Sequence, residues 1–136
     1  MDYITYSEGY KYQLEKDYTV KVDILGETVD TDYIDLKPDG SLTIYDGYCW
    51  DGPSGPTMDT KDFMRGALVH DALYQSMRMG KLDAKKSRKV ADDTMRKLCR
   101  EDGMGWFRAY YTYHAVRLFG SKSADPAGSY PIKTAP

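Results

Sequence analysis

The stretches Leu68-Val69-His70-Asp71-Ala72-Leu73-Tyr74 and Arg88-Lys89-Val90-Ala91-Asp92-Asp93 stand on either side of a break at Gly80, and their periodicity decides how the chain folds. Phe63, Ala67, His70, Tyr74 and Met77 recur at spacings of three and four, which places them on one stripe of a helix. Asp59 or Thr60 can cap its start, and Gly80 can end it in the left-handed conformation. Asp83 caps a second helix, in which Ala91, Met95 and Leu98 keep the same period. A connection this short makes the two helices antiparallel neighbours. At 1.5 Å per residue, His70 and Asp92 each lie roughly 14 Å from the bend, so they sit at one level. Helices packed about 8 to 10 Å apart bring two such inward side chains within hydrogen-bonding reach.

That spacing has chemical consequences. A histidine held by a carboxylate has a fixed tautomer, and its other ring nitrogen is free to act as a base. Asp71 points about 100° round the helix from His70, towards the segment that precedes the helix. This segment is Trp50-Asp51-Gly52-Pro53-Ser54-Gly55-Pro56-Thr57, whose glycines allow backbone carbonyls to converge on a cation. Calcium takes oxygen ligands from carboxylates, carbonyls and water, and the loop with Asp71 offers such a set. A calcium there would stabilise the oxyanion formed when water, deprotonated by His70, attacks an ester. Tyr74, one turn beyond His70, can donate its hydroxyl to Asp92 and hold that carboxylate in place.

His70-Asp71-x-x-Tyr74, followed by Ala91-Asp92 and preceded by the Gly/Pro loop, resembles the core of the phospholipase A2 superfamily, especially its compact, disulfide-free viral members. The resemblance covers about a third of the chain. It implies that His70 is the general base, that Asp71 binds calcium with loop carbonyls, and that Asp92 and Tyr74 orient His70. Trp50, Gly52 and Gly55 would be the loop contributors to the calcium. A second resemblance runs from about Tyr45 to Gly120. Asp51-Gly52-Pro53-Ser54-Gly55-Pro56, Ala67 to Tyr74, Arg88-x-x-Ala91-Asp92 and Tyr113-x-Ala115-Val116-Arg117-x-Phe119-Gly120 together look like a family of unknown function common in bacteriophage genomes. It implies a phage origin and no particular activity.

A non-catalytic reading stands beside the enzymatic one. In it, His70 is a satisfied core histidine, and Asp92 is the acceptor of an exposed i,i+4 ion pair with Arg88. The chain would then be a virion structural protein making contacts with other virion proteins or its own copies. Its 13 tyrosines, eight of them before Trp50, and its C-terminal tail would supply the contact surface.

The rest of the chain reads as scaffold. Its 136 residues suit one domain, and 41% hydrophobic with 29% charged residues is an ordinary balance for a soluble protein. No apolar run approaches 18 residues and Met1-Asp2-Tyr3 opens no signal peptide, which points to synthesis in a host cytoplasm, with incorporation into a virion as one destination. Cys49 and Cys99 lack metal-site spacing and read as free, buried thiols; His70 and His114 have no Cys or second His at helical spacing, which argues against zinc. Runs rich in Tyr, Val, Ile and Thr at Tyr10 to Leu14, Tyr18 to Ile24, Val29 to Leu36 and Ser41 to Tyr45 predict strands, with a turn at Pro38-Asp39-Gly40 and a bend at Leu25-Gly26-Glu27.

Residues 1–60 carry 13 acidic and 4 basic side chains, whereas residues 61–136 carry 8 and 15. The two halves can attract each other, or the basic helices can face an acidic membrane or partner. No basic run is interleaved with aromatics in a nucleic-acid-binding motif, so nucleic acid is not expected. From Gly103 a third helix is predicted with Phe107, Tyr111, Ala115 and Leu118 on one stripe, His114 in the core or at its edge, and Gly120 as its cap. The expected architecture is a single α+β domain over residues 1–120. It has a β-rich half at 1–48, forming an N-terminal antiparallel sheet or meander, and a loop and helical half at 49–120, holding an antiparallel helix pair and a third C-terminal helix. Residues 121–136 are expected to form an extended tail without regular structure.

Overall fold

In a computed structural model of the chain, described over residues 4, 6–7, 12–50 and 60–125, antiparallel strands precede the helices in an α+β arrangement. The strands are β1 (Tyr6–Ser7), β2 (Tyr12–Leu14), β3 (Tyr18–Lys21), β4 (Val29–Asp30), β5 (Ile34–Leu36), β6 (Ser41–Ile44) and β7 (Cys49–Trp50). They form two sheets, in the orders β1-β2-β7 and β3-β6-β5-β4, with every pairing antiparallel.

The larger sheet is a meander that closes back on β3. Ile34, Leu36, Leu42 and Ile44 alternate inward on β5 and β6, with Leu36 opposite Leu42 and Ile34 opposite Ile44. The predicted turn at Pro38-Asp39-Gly40 joins these two strands. Asp39 accepts a hydrogen bond from the Ser41 amide at 2.9 Å, and Gly40 has φ +91°, with Val22 O so close that any side chain there would collide with it. The expected single strand from Val29 to Leu36 is instead two. The Thr31 hydroxyl accepts from the Ile34 amide at 2.9 Å, and this local bond turns the chain between β4 and β5. The pairing of β7 with β2 was not expected from sequence, since a two-residue strand carries no periodicity of its own.

The helices are α1 (Lys61–Arg78), α2 (Ala84–Glu101), α3 (Trp106–Phe119) and a single turn α4 (Ser121–Ala124), where the tail was expected to be irregular. Thr60 is the residue at the N-cap of α1, and Gly80, at φ +71°, follows its last turn. The amides of Gly80 and Lys81 bond to Met77 O and Ser76 O at 3.0 and 2.9 Å, closing the helix end. The Asp83 side chain caps α2 by accepting from the Lys85 amide at 2.9 Å.

α1 is more deeply placed than one apolar stripe implies. Leu68, Val69, Ala72 and Leu73 are buried along with Phe63, Ala67, Tyr74 and Met77, as befits a helix covered on nearly all sides. It shares one buried cluster with Leu14, Tyr18, Leu36 and Ile44 of the sheets and with Ala91 and Leu98 of α2. Gly66 lets α2 come close, since a Cβ there would lie 2.7 Å from Cys99 Sγ and 2.9 Å from Met95 O.

α3 turns His114, expected in the core or at its edge, outward. Its buried residues are Ala109, Thr112 and Tyr113, while Phe107, Tyr111, Ala115 and Leu118 lie on the exposed side together with His114. The stripe was real, but a stripe does not say which way it faces. Both cysteines are free as expected, yet only Cys99 is buried, and Cys49 on the short strand β7 is exposed.

Candidate active site

α1 and α2 run antiparallel, with Arg65 near the start of α1 meeting Glu101 and Asp102 at the end of α2. This register brings His70 and Asp92 together in the middle of the pair. His70 Nε2 lies 2.7 Å from Asp92 Oδ1, and the Tyr74 hydroxyl donates to the same oxygen at 2.6 Å. Tyr74 stands one turn beyond His70, and the two rings pack with centroids 4.0 Å apart.

Asp92 is completely buried, which a carboxylate tolerates only when its lone pairs are taken up. Its second oxygen meets two cations. Arg117 Nη1 of α3 donates to Oδ2 at 2.9 Å, and Arg88 Nη1 lies 3.8 Å from it. Arg88 also donates to the Tyr74 hydroxyl at 3.4 Å and to the carbonyls of Val116 and Arg117 at 3.1 Å each. Those carbonyls belong to the last turn of α3, at the negative end of the helix dipole, where a cation is favoured. Arg88 thus fastens α3 to α2 beside Asp92. The exposed intrahelical pair is corrected by this packing: Asp92 faces inward, and the pair is a minor part of a buried network.

Burial raises the pKa of Asp92, but hydrogen bonds from His70 and Tyr74, together with the Arg117 guanidinium, outweigh it and hold the carboxyl below its ordinary range. Tyr74 moves the opposite way, driven up first by burial and then by its bond to Asp92. At physiological pH the centre therefore holds a carboxylate and a neutral phenol. With Nε2 engaged by Asp92, His70 keeps Nδ1 free of any hydrogen-bond partner among the described residues. Its side chain remains 11% exposed, while Asp92 is sealed.

Sequence spacing had already grouped His70, Tyr74 and Asp92. Arg88 was assigned only an exposed ion pair with Asp92 and Arg117 no role, and the signal that finds them is a requirement: an inward carboxylate on α2 needs cations or donors, and Arg88 lies one turn away. Arg117 depends on where α3 crosses, which spacing within the pair does not reveal. Gly120, at the end of α3, is part of the same packing, since a Cβ there would come within 2.8 Å of the Tyr74 hydroxyl.

Asp71 is partly exposed on α1, and Trp50 ends β7 with its ring packed in the core against Tyr12 and Tyr48. Gly52 and Gly55 lie outside the described residues. Among the described residues no group of three or more His, Cys, Asp or Glu side chains is placed to hold a metal ion.

Comparison of the chain with protein-family models, curated proteins and solved structures gives no match. No helix among the described residues is long and apolar enough to cross a membrane.

Proposed function

We propose that His70 and Asp92 form the general-base pair of an ester hydrolase, with phospholipid-type esters as the substrate class suggested by the His-Asp-x-x-Tyr resemblance. The observation that carries this reading is the 2.7 Å contact between a partly open imidazole and a fully buried carboxylate. With Nε2–H donated to Asp92, Nδ1 accepts a proton from water as the water oxygen bonds to the ester carbonyl carbon. The same proton then passes to the departing alkoxide as the tetrahedral species collapses. Asp92 stabilises the ring's transient positive charge, and Tyr74 and Arg117 keep Asp92 from turning away.

Calcium belongs to the same proposal through Asp71 and the carbonyls of the loop around Gly52 and Gly55, and when bound it would supply charge stabilisation for the oxyanion. The steps above use only groups of the chain. In the phage setting of the second resemblance, such an activity would serve to open a membrane during entry or release.

The alternative, a non-catalytic virion component with Tyr-rich strand contacts, finds less support in the strands. Tyr18 and Tyr48 are buried in the core, whereas Tyr33 is exposed. The deciding experiment is fatty-acid release from mixed phospholipid vesicles, in calcium or in chelator, by the wild type and by His70→Asn. Release by the wild type but not by the variant supports the hydrolase. A calcium requirement, abolished along with activity in Asp71→Asn, supports the metal. Folded wild-type protein that releases nothing under either condition sinks the reading and leaves the structural one.

A further inference from the structure

The outer face of α3 has no role in the centre described above, and its composition is unusual for a helix facing water. Among its described side chains the exposed ones are Trp106, Phe107, Tyr110, Tyr111, His114, Ala115 and Leu118, and none is Lys, Arg, Asp or Glu. A solvent-facing helix surface normally carries the charged residues of the amphipathic pattern. Here Trp106, Phe107 and Leu118 are 68, 65 and 73% exposed, and the ridge runs roughly 18 Å along the helix axis. The two arginines of α3 are drawn inward, Arg108 to Asp62 at 3.2 Å and Arg117 to Asp92 at 2.9 Å. A contiguous apolar ridge that the described residues leave uncovered marks a binding surface.

A cationic groove lies along one flank of the ridge. Between α2 and α3 a cavity of about 350 Å³ is lined by Arg96, Lys97 and Arg100 together with Trp106 and Tyr110, and by one carboxylate, Asp93. Asp93 is already paired with Lys89 at 2.9 Å, so the groove keeps an excess of positive charge. Arg96 lies over the Tyr113 ring at 4.2 Å, and Lys97 is exposed.

We infer that this face of α3, with the groove beside it, docks the protein on an anionic phospholipid bilayer. Aromatic and aliphatic side chains enter the boundary between headgroups and acyl chains, and Arg96, Lys97 and Arg100 meet the phosphates. Trp and Tyr favour that boundary, and basic residues near it add attraction to anionic lipids.

Charge decides among the possible occupants. A second copy packed ridge to ridge with its helix antiparallel would set two such cationic grooves side by side, which opposes that arrangement, whereas an anionic surface is favoured by the groove in any orientation. A single-stranded nucleic acid needs cations tracking the rings and rings open for base stacking. Here the cations stay on one flank, and the rings lean on one another: Trp106 on Phe107 edge-on at 5.9 Å, Phe107 on Tyr111 at 6.1 Å and Tyr110 on His114 at 4.4 Å.

The test is sedimentation of the full chain with sucrose-loaded vesicles of phosphatidylcholine alone or with one quarter phosphatidylglycerol, over a range of salt. Emission of Trp106 serves as a second readout, since Trp50 is buried throughout. Expected are salt-sensitive binding to the phosphatidylglycerol vesicles and a blue shift on binding. Trp106→Ala with Phe107→Ala should weaken the affinity by roughly tenfold or more, and Lys97→Glu should remove the preference for anionic lipid. These residues are exposed, so circular dichroism should show both variants folded.

Docking is separable from hydrolysis, because His70→Asn should bind vesicles as the wild type does. Folded protein that stays in the supernatant with either vesicle overturns the proposal, as does binding that ignores the Trp106 and Phe107 changes. A dimer split by those changes, in protein that does not bind vesicles, assigns the face to a second copy. Capture of an oligonucleotide in place of vesicles assigns it to nucleic acid.

Discussion

Two buried charge clusters bridge α1 and α2, one around Arg65 and one around Asp92, and they differ in how completely they are closed. Arg65 is 4% exposed and donates to Asp102 through two nitrogens at 3.1 and 3.0 Å, to Glu101 at 2.9 Å and to the Tyr18 hydroxyl at 3.0 Å. Burial opposes its charge, but these acceptors outweigh that and raise its pKa. Every contact joins elements of the scaffold: β3, α1 and the end of α2. Around Asp92 the carboxylate is just as well satisfied, by His70, Tyr74 and Arg117, yet one member keeps a ring nitrogen without a partner among the described residues. The same ingredients thus serve two purposes. A buried cation bound only to acceptors of the scaffold holds helices in register, and a cluster with one basic atom left over can also do chemistry.

Substitution separates the two clusters most sharply. His70→Asn should lower ester hydrolysis by roughly 100- to 10,000-fold, the range lost with a general base, and should cost less stability than Arg65→Met, because Tyr74 and Arg117 still hold Asp92. Arg65→Met should do the reverse in kind. It removes the cation that Asp102 and Glu101 share, and should reduce unfolding free energy by roughly 2 to 3 kcal/mol, below the loss for a fully sealed pair because Glu101 reaches water. If instead His70→Asn unfolds the protein as severely as Arg65→Met does, the Asp92 cluster is scaffold too.

Acid sharpens the comparison further. The folded pKa of Asp92 lies below its unfolded value, so its contribution to stability is complete above the ordinary carboxylate pKa of about 3.9 and is lost as pH falls through the folded value. Arg117→Gln removes one of the influences that lower it. The acid limb of the unfolding curve should therefore move to higher pH in Arg117→Gln, as measured by circular dichroism between pH 2 and 6. An acid limb unmoved by the substitution would mean that Arg117 does not hold the Asp92 carboxylate.

The smallest expected effect concerns the packing that brings both clusters together. Burial pushes the Cys99 thiol up to about 12, with the nearby Asp102 adding to it, while Cys49 is exposed. One thiol should react with a disulfide reagent at pH 8 in the native protein and two in denaturant. Two fast native thiols would show that α1 and α2 part readily at Gly66.

Much of the centre was legible because helical geometry is regular. His70 and Asp92 could be brought to one level by counting residues from Gly80, with Tyr74 one turn nearer the bend, since rise and antiparallel packing leave little freedom once both helices are granted. The larger sheet was legible for a similar reason, as Leu42 and Ile44 alternate and Pro38-Asp39-Gly40 makes a turn. Val29 to Leu36 misled because Thr31 bonds locally to Ile34 and breaks a run whose composition is strand-like throughout.

Sequence alone therefore determined the helix pair, the strand-rich first half and the grouping of an imidazole, a phenol and a carboxylate, all consequences of local periodicity. Only the tertiary structure decided which side of α3 meets water, that Asp92 faces inward beside Arg88, and that Arg117 reaches Asp92 from 25 residues along the chain. A repeating pattern specifies a stripe, but its direction and its distant partners depend on how whole elements pack, which no local spacing encodes.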